Sequence, residues 1–176
     1  VIFDNTLSMK KHVDTVCKSV SFHLRNIGKV RKYISQTAAE LLVHSLVSSR
    51  IDYSNSLLFG IPDNQVKRLQ CLFHVAARIV TLTPSSHHIT PVLYKLHWLP
   101  VKQRIAYKVL LTVYKAMNGI GPEYISDLLI PLISNCQLRS SSQNLLSVPK
   151  SSCKTFGDRA FSSQLIPSSL VSRLSF

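Results

Sequence analysis

The residues with the most chemical content in this chain are cations. Lys11, Lys18, Arg25, Lys29 and Lys32 recur through its opening stretch at intervals of seven, seven, four and three. At about 100° per helical residue these five fall within about 60° of one another, far from an apolar set of Val13, Val16, Cys17, Val20, Leu24 and Ile27. Only Asp14 supplies negative charge in this stretch, so pairing along the helix does not account for the stripe. Cations in such a row suit a line of phosphates, and the stripe is read as a phosphate-tracking surface rather than a solvated face. Arg68 and Arg78, and then Lys102, Arg104 and Lys108, extend the candidate set. The whole chain carries a formal charge of +13, from 21 Lys and Arg against 8 Asp and Glu. That excess points towards a polyanion, nucleic acid before an anionic membrane.

Other chemistries find less support. The acids Asp4, Asp14, Glu40, Asp52, Asp63, Glu123, Asp127 and Asp158 are isolated, with no adjacent pair, whereas two-ion phosphoryl chemistry needs convergent carboxylates. His87, His88 and His97 with Cys71 or His74 lack the spacing of a zinc finger, and Cys17, Cys71, Cys136 and Cys153 form no C-x-x-C pair. There is no Gly-x-Ser-x-Gly elbow, P-loop or dinucleotide signature. No catalytic residue, metal ligand or cofactor site is therefore assigned within the chain. The cysteines fit free or buried thiols in a reducing, intracellular compartment, nucleus or cytoplasm. No apolar run approaches the roughly 18 residues of a membrane span.

The elements that position the cations read as mainly α-helical. Ser8 is placed to cap a helix from Met9 to about Lys32. Thr37-Ala-Ala-Glu40 has the form of a capping box opening a helix through Leu42, Val43, Leu46, Val47 and Ile51. Asp63 is placed to cap a third, carrying Val66, Leu69, Leu72, Phe73, Ala76, Ala77, Ile79 and Val80. The Ala76-Ala77 pair would let another helix approach closely. Thr90-Pro91 starts a further helix, Leu99-Pro100 interrupts, and a helix from Pro100 to about Met117 ends at Asn118-Gly119. Gly121-Pro122 opens a short helix that stops before Pro131. Trp98 is read as a core wedge, and Tyr107 and Tyr114 as core rather than stacking residues. Val1-Ile2-Phe3 reads as a strand end, Leu145 to Val148 as a possible strand, and Phe156 and Phe161 as anchors of a Ser-rich extension. The resulting organisation is a strand end over 1–7, a three-helix bundle over 8–83, further helices over 84–133 and a Ser-rich, partly ordered tail over 134–176.

Four segments carry a resemblance. HITPVLYKLHWLPVKQRI with YKVLLTVYKAMNGIGPEYISDLL, VIFDNTLSMKKHV, LVSSRIDYSNSLLFGIP and KTFGDRAF resemble, in the expected order along the chain, the region that follows the polymerase domain in reverse transcriptases of LINE-type (non-LTR) retrotransposons, particularly the jockey-like clades. The resemblance implies a C-terminal fragment holding the thumb and downstream linker of an RNA-directed DNA polymerase, with 1–7 a residual strand, 8–83 a thumb-like bundle and 84–133 a helical linker domain. It implies an RNA–DNA or DNA template–primer duplex and the upstream palm and fingers as partners, and Mg²⁺ for the parent enzyme. The adjacent Asp pair of those polymerases has no counterpart here, so the chain alone is expected to be inactive. The family pattern continues after KTFGDRAF with a Leu-Trp-Asn segment, whereas this chain reads SSQLIPSSLVSRLSF, which suggests a decayed or frameshifted end. Two other classes fit the composition: a basic helical interaction module for a protein partner or anionic membrane, and a transposon relic without selected function.

Overall fold

The computed structural model describes residues 1–5, 8–130 and 146–147 of the chain. These residues are mainly helical, and among them there is no β-strand. Val1, Ile2 and Phe3, read as a strand end, are exposed and irregular. Two compact units occur, Val1–Ala106 and Tyr107–Phe176.

In the first unit, α1 (Lys10–Val30) forms where the apolar period requires it, and Val13, Cys17, Val20, Leu24 and Ile27 are buried. Its entry differs from the expected Ser8 cap. Met9 adopts a left-handed conformation (φ 58°) and is itself buried, while the Ser8 hydroxyl bonds Asp4 and meets the Lys10 N–H only at 3.4 Å. A 3₁₀ turn, Arg31–Tyr33, follows.

The cap of α2 (Gln36–Val43) is Ser35, whose extended backbone lets its hydroxyl accept the Ala38 N–H at 3.2 Å. Thr37, expected to hold that place, lies within the first turn instead. The chain then widens into a π-turn over His44–Ser48 and resumes as α3 (Ser49–Asp52). Val43, Val47 and Ile51, four apart, would drift about 40° per step on a regular α-helix; the wider turn accompanies burial of all three. A 3₁₀ turn at Asn55–Leu58 and Gly60, at φ 73°, lead into α4 (Asp63–Thr81). Asp63 does not cap α4: it is the first helical residue, where its charge favours the positive helix end.

The core joins α1, the α2–α3 segment and α4 through Val20, Leu24, Val43, Val47, Leu69, Phe73 and Val80. Ala76 and Ala77 are fully buried, consistent with the close packing their size allows. The short α5 (Thr90–Lys95) starts at Thr90-Pro91, as its punctuation requires. Leu93, Trp98, and Val101 and Ile105 from the start of α6 (Val101–Met117) belong to the same core.

In the second unit, α6 ends at Gly119 (φ 68°), and the N–H groups of Ile120 and Gly121 both donate to the Lys115 carbonyl, at 2.9 and 3.0 Å. A Cβ on Gly121 would stand 3.1 Å from the Ala116 nitrogen, so glycine suits this close approach. Then α7 (Glu123–Ser126) is tied back by the Ser126 hydroxyl to the Ala116 carbonyl at 3.1 Å. Tyr107 and Tyr114, read as core, are 58% and 52% exposed: the buried face of this helix is formed by Val109, Val113 and Ala116. Leu146 is buried, and the Ser147 N–H donates to the Ile130 carbonyl at 2.7 Å. The rest of the expected tail, with Leu145, Val148, Phe156 and Phe161, lies outside the described residues.

Candidate nucleic-acid interface

Burial of one face of α1 fixes the other outward. Lys11, Lys18, Arg25, Lys29 and Lys32 are all exposed. From Lys11 to Lys32 the row spans about 30 Å, close to the roughly 34 Å of one duplex turn. Among the described residues three ion pairs occur, Arg68–Asp14, Lys102–Asp63 and Arg104–Asp52, and none uses a cation of this row. The row's charge is thus left uncompensated by these pairs. At its end, the Lys32 ammonium lies 4.9 Å from the Tyr33 ring centroid.

Four of the remaining sequence candidates, Arg68, Arg78, Lys102 and Arg104, have other engagements. Arg68 meets Asp14 at 2.6 Å, and that hydrogen bond raises the guanidinium further above its usual range. The pair joins α4 to α1 and occupies the one carboxylate within the stripe. Arg78 donates to the carbonyls of Pro84 and His87, at 2.5 and 2.9 Å, and so pins the connector after α4. Arg104 grips Asp52 through two nitrogens, its Nε at 2.9 Å from Oδ1, with side chains only 21% and 33% exposed. Its guanidinium also covers the Phe73 ring at 5.1 Å. A fork held on both a carboxylate and a ring serves packing. Lys102 is loosely paired with Asp63 at 3.4 Å, both exposed, so little holds it there. Lys108 lies in the second unit and is exposed.

Two residues escaped the sequence reading. Arg31, inside the basic run, is only 8% exposed. Its guanidinium donates to the carbonyls of Ile79, Val80 and Ile34, with the shortest approach 2.8 Å to Val80. It therefore caps the negative end of α4, whose final carbonyls have no partner within the helix. Nothing local marks it, because its partners on α4 lie 48 and 49 residues away. Phe22 is 60% exposed, and by helical phase it falls within about 40° of Lys18, about 20° beyond the edge of the stripe. That signal was present in the spacing.

A groove of about 870 Å³ beside α4 and α5 is lined by Val66, Leu93 and Trp98 with His74 at one wall. Burial lowers the pKa of His74, and the charge of Arg78 adds to this. A neutral imidazole suits its 2.6 Å contact with the Gln70 amide nitrogen, while the Gln70 oxygen accepts the Val101 N–H at 2.7 Å. Trp98 is 6% exposed, against Phe73 at 5.0 Å and edge-on to His44 at 5.3 Å, which makes it the core wedge its context indicated. Among the described residues no three His, Cys, Asp or Glu side chains gather as metal ligands. Asp14, Asp52 and Asp63 are each turned to a different cation, and this donor set does not fit a two-ion Mg²⁺ centre. Among the described residues, no helix is long and apolar enough to cross a membrane.

No protein-family model, curated protein or solved structure matches the chain.

Proposed function

We propose that this chain is a non-catalytic piece of a LINE-type reverse transcriptase that grips template–primer nucleic acid by its phosphates. The observation that carries the reading is the exposed row of Lys11, Lys18, Arg25 and Lys29 on α1, continued by Lys32 on the 3₁₀ turn that follows, with α1 braced from behind by α4. A rigid row of cations meets a backbone without reading bases, as a polymerase that copies every sequence requires. Arg68 and Arg78 support the surface by bracing α4 against α1 and against its own connector. The resemblance of four ordered segments to that family supplies the parent activity. The chain has no adjacent pair of Asp residues like that of the family's polymerases, so the reading places the chemistry elsewhere in such a parent.

Competition tests the reading. The purified chain is bound to a labelled RNA–DNA hybrid and challenged with unlabelled hybrids of unrelated sequence, and with vesicles containing phosphatidylserine. All hybrids should compete alike and the vesicles poorly. Preference for one sequence, or displacement by vesicles at matched phosphate, would overturn it. Primer extension by the chain alone with Mg²⁺ would overturn its non-catalytic part.

A further inference from the structure

We propose that Phe22 stacks on an unpaired base of the bound strand, so that the basic row engages a junction between duplex and single strand; this rests on the reading of that row as a phosphate surface. An exposed phenylalanine alone is ordinary. This one sits four residues after Lys18, three before Arg25 and seven before Lys29, in the middle of the exposed cations. It borders a pocket of about 500 Å³ whose other walls include Lys18, Ser21, Arg25 and the Arg68–Asp14 pair. That volume is in the range of small-ligand sites and suits one nucleotide. The ring meets His23 edge-on, with centroids 5.5 Å apart and planes at 77°.

Each part has a partner in nucleic acid chemistry. The π-face of a base stacks on the phenyl ring, and Lys18 and Arg25 meet the flanking phosphates. Arg68, already held by Asp14, forms a fixed wall. Bases inside a duplex are stacked on one another and cannot reach Phe22. The ligand is therefore a nucleic acid with an unpaired base beside a paired region. An anionic membrane would also meet cations around an aromatic, and the experiment separates the two.

The full chain is titrated into a blunt RNA–DNA hybrid, and into the same hybrid with an overhang carrying 2-aminopurine at the first unpaired position. Phosphatidylcholine–phosphatidylserine vesicles form a third arm. Variants are Phe22→Leu, Phe22→Trp and Tyr33→Leu, the last removing an exposed aromatic that does not border the pocket. Thermal unfolding of Phe22→Leu should match the wild type, since the side chain is largely in water. The wild type should favour the overhang and quench 2-aminopurine. Phe22→Leu should lose the quenching and weaken overhang binding about 5- to 100-fold, with blunt binding and salt slope unchanged. Phe22→Trp and Tyr33→Leu should keep the preference. Equal binding to blunt and overhang hybrids, with normal salt dependence, would overturn the stacking and leave the phosphate surface standing. Phe22-dependent binding to vesicles without any overhang preference would overturn it too, and assign the residue to lipid. Failure of the folded chain to bind either hybrid would overturn both readings.

Discussion

Arg31 separates charge that holds the fold from charge that faces solvent. Arg31→Met keeps the aliphatic stem and removes the fork that reaches the carbonyls of Ile79, Val80 and Ile34. A hydrogen bond from a charged donor contributes about 1.5–3 kcal/mol, and the carbonyls at the end of α4 lose theirs where water reaches poorly. The methionine retains some packing, so the net loss is on the order of 3 kcal/mol. For a unit of this size, that lowers the thermal midpoint by roughly 12–24 °C. Arg31→Lys should recover less than half, because one ammonium cannot span carbonyls on two elements. Urea unfolding followed by helical circular dichroism would show a lower midpoint with an unchanged slope. The folded variant should bind a hybrid with the wild-type salt slope, since Arg31 faces inward. A stability change within about 0.5 kcal/mol, the usual range for surface substitutions, would refute the capping role. A shallower salt slope would place Arg31 on the phosphates.

Acid should destabilise the fold through His74. Burial, with Arg78 adding, depresses its folded pKa below the ordinary 6.5, so the unfolded chain binds the extra proton first as pH falls. Its contribution is constant above about pH 6.5 and is lost on acidification towards the depressed value. His12, also lowered mainly by burial, acts in the same direction. His74→Gln should reduce the fall in urea midpoint between pH 7 and 5; identical pH slopes would contradict this. The thiols should differ as well. Cys71 is exposed, whereas Cys17 is buried and burial pushes its thiol pKa up. Brief maleimide treatment followed by peptide mapping should label Cys71 and spare Cys17 until urea is added. Equal native labelling would contradict this and show that reagent reaches Cys17 in the folded chain, through the pocket it lines or by opening of α1.

The sequence spoke most clearly where structure is local and periodic. The apolar row of α1 was legible because Val13, Cys17, Val20, Leu24 and Ile27 recur with the helical period and the helix buries one face. Trp98 was legible from its place at a proline-marked junction. Helix starts were less so. Ser35 and Thr37 are both capping types two residues apart, and the choice falls to the extended backbone at Ser35. Met9 shows no local sign of its left-handed conformation. The arginines divided for a non-local reason: Arg31, Arg68 and Arg104 find partners 48 to 54 residues distant. A helical wheel sees only the direction in which such a side chain leaves its own helix. Tyr107 and Tyr114 share a spacing of seven with many core pairs, yet Val109, Val113 and Ala116 form the buried face.

The most direct measurement of the central claim is the salt dependence of hybrid binding by fluorescence anisotropy. It compares the wild type with a variant carrying Gln at positions 11, 18, 25, 29 and 32. Those five side chains are exposed, and none takes part in the three ion pairs among the described residues, so the variant should unfold like the wild type. If the row lies along the phosphates, the slope of log affinity against log salt should become shallower by up to about 0.9 for each phosphate left without its cation. Weaker binding with an unchanged slope, or unchanged binding altogether, would contradict the assignment of this face to nucleic acid.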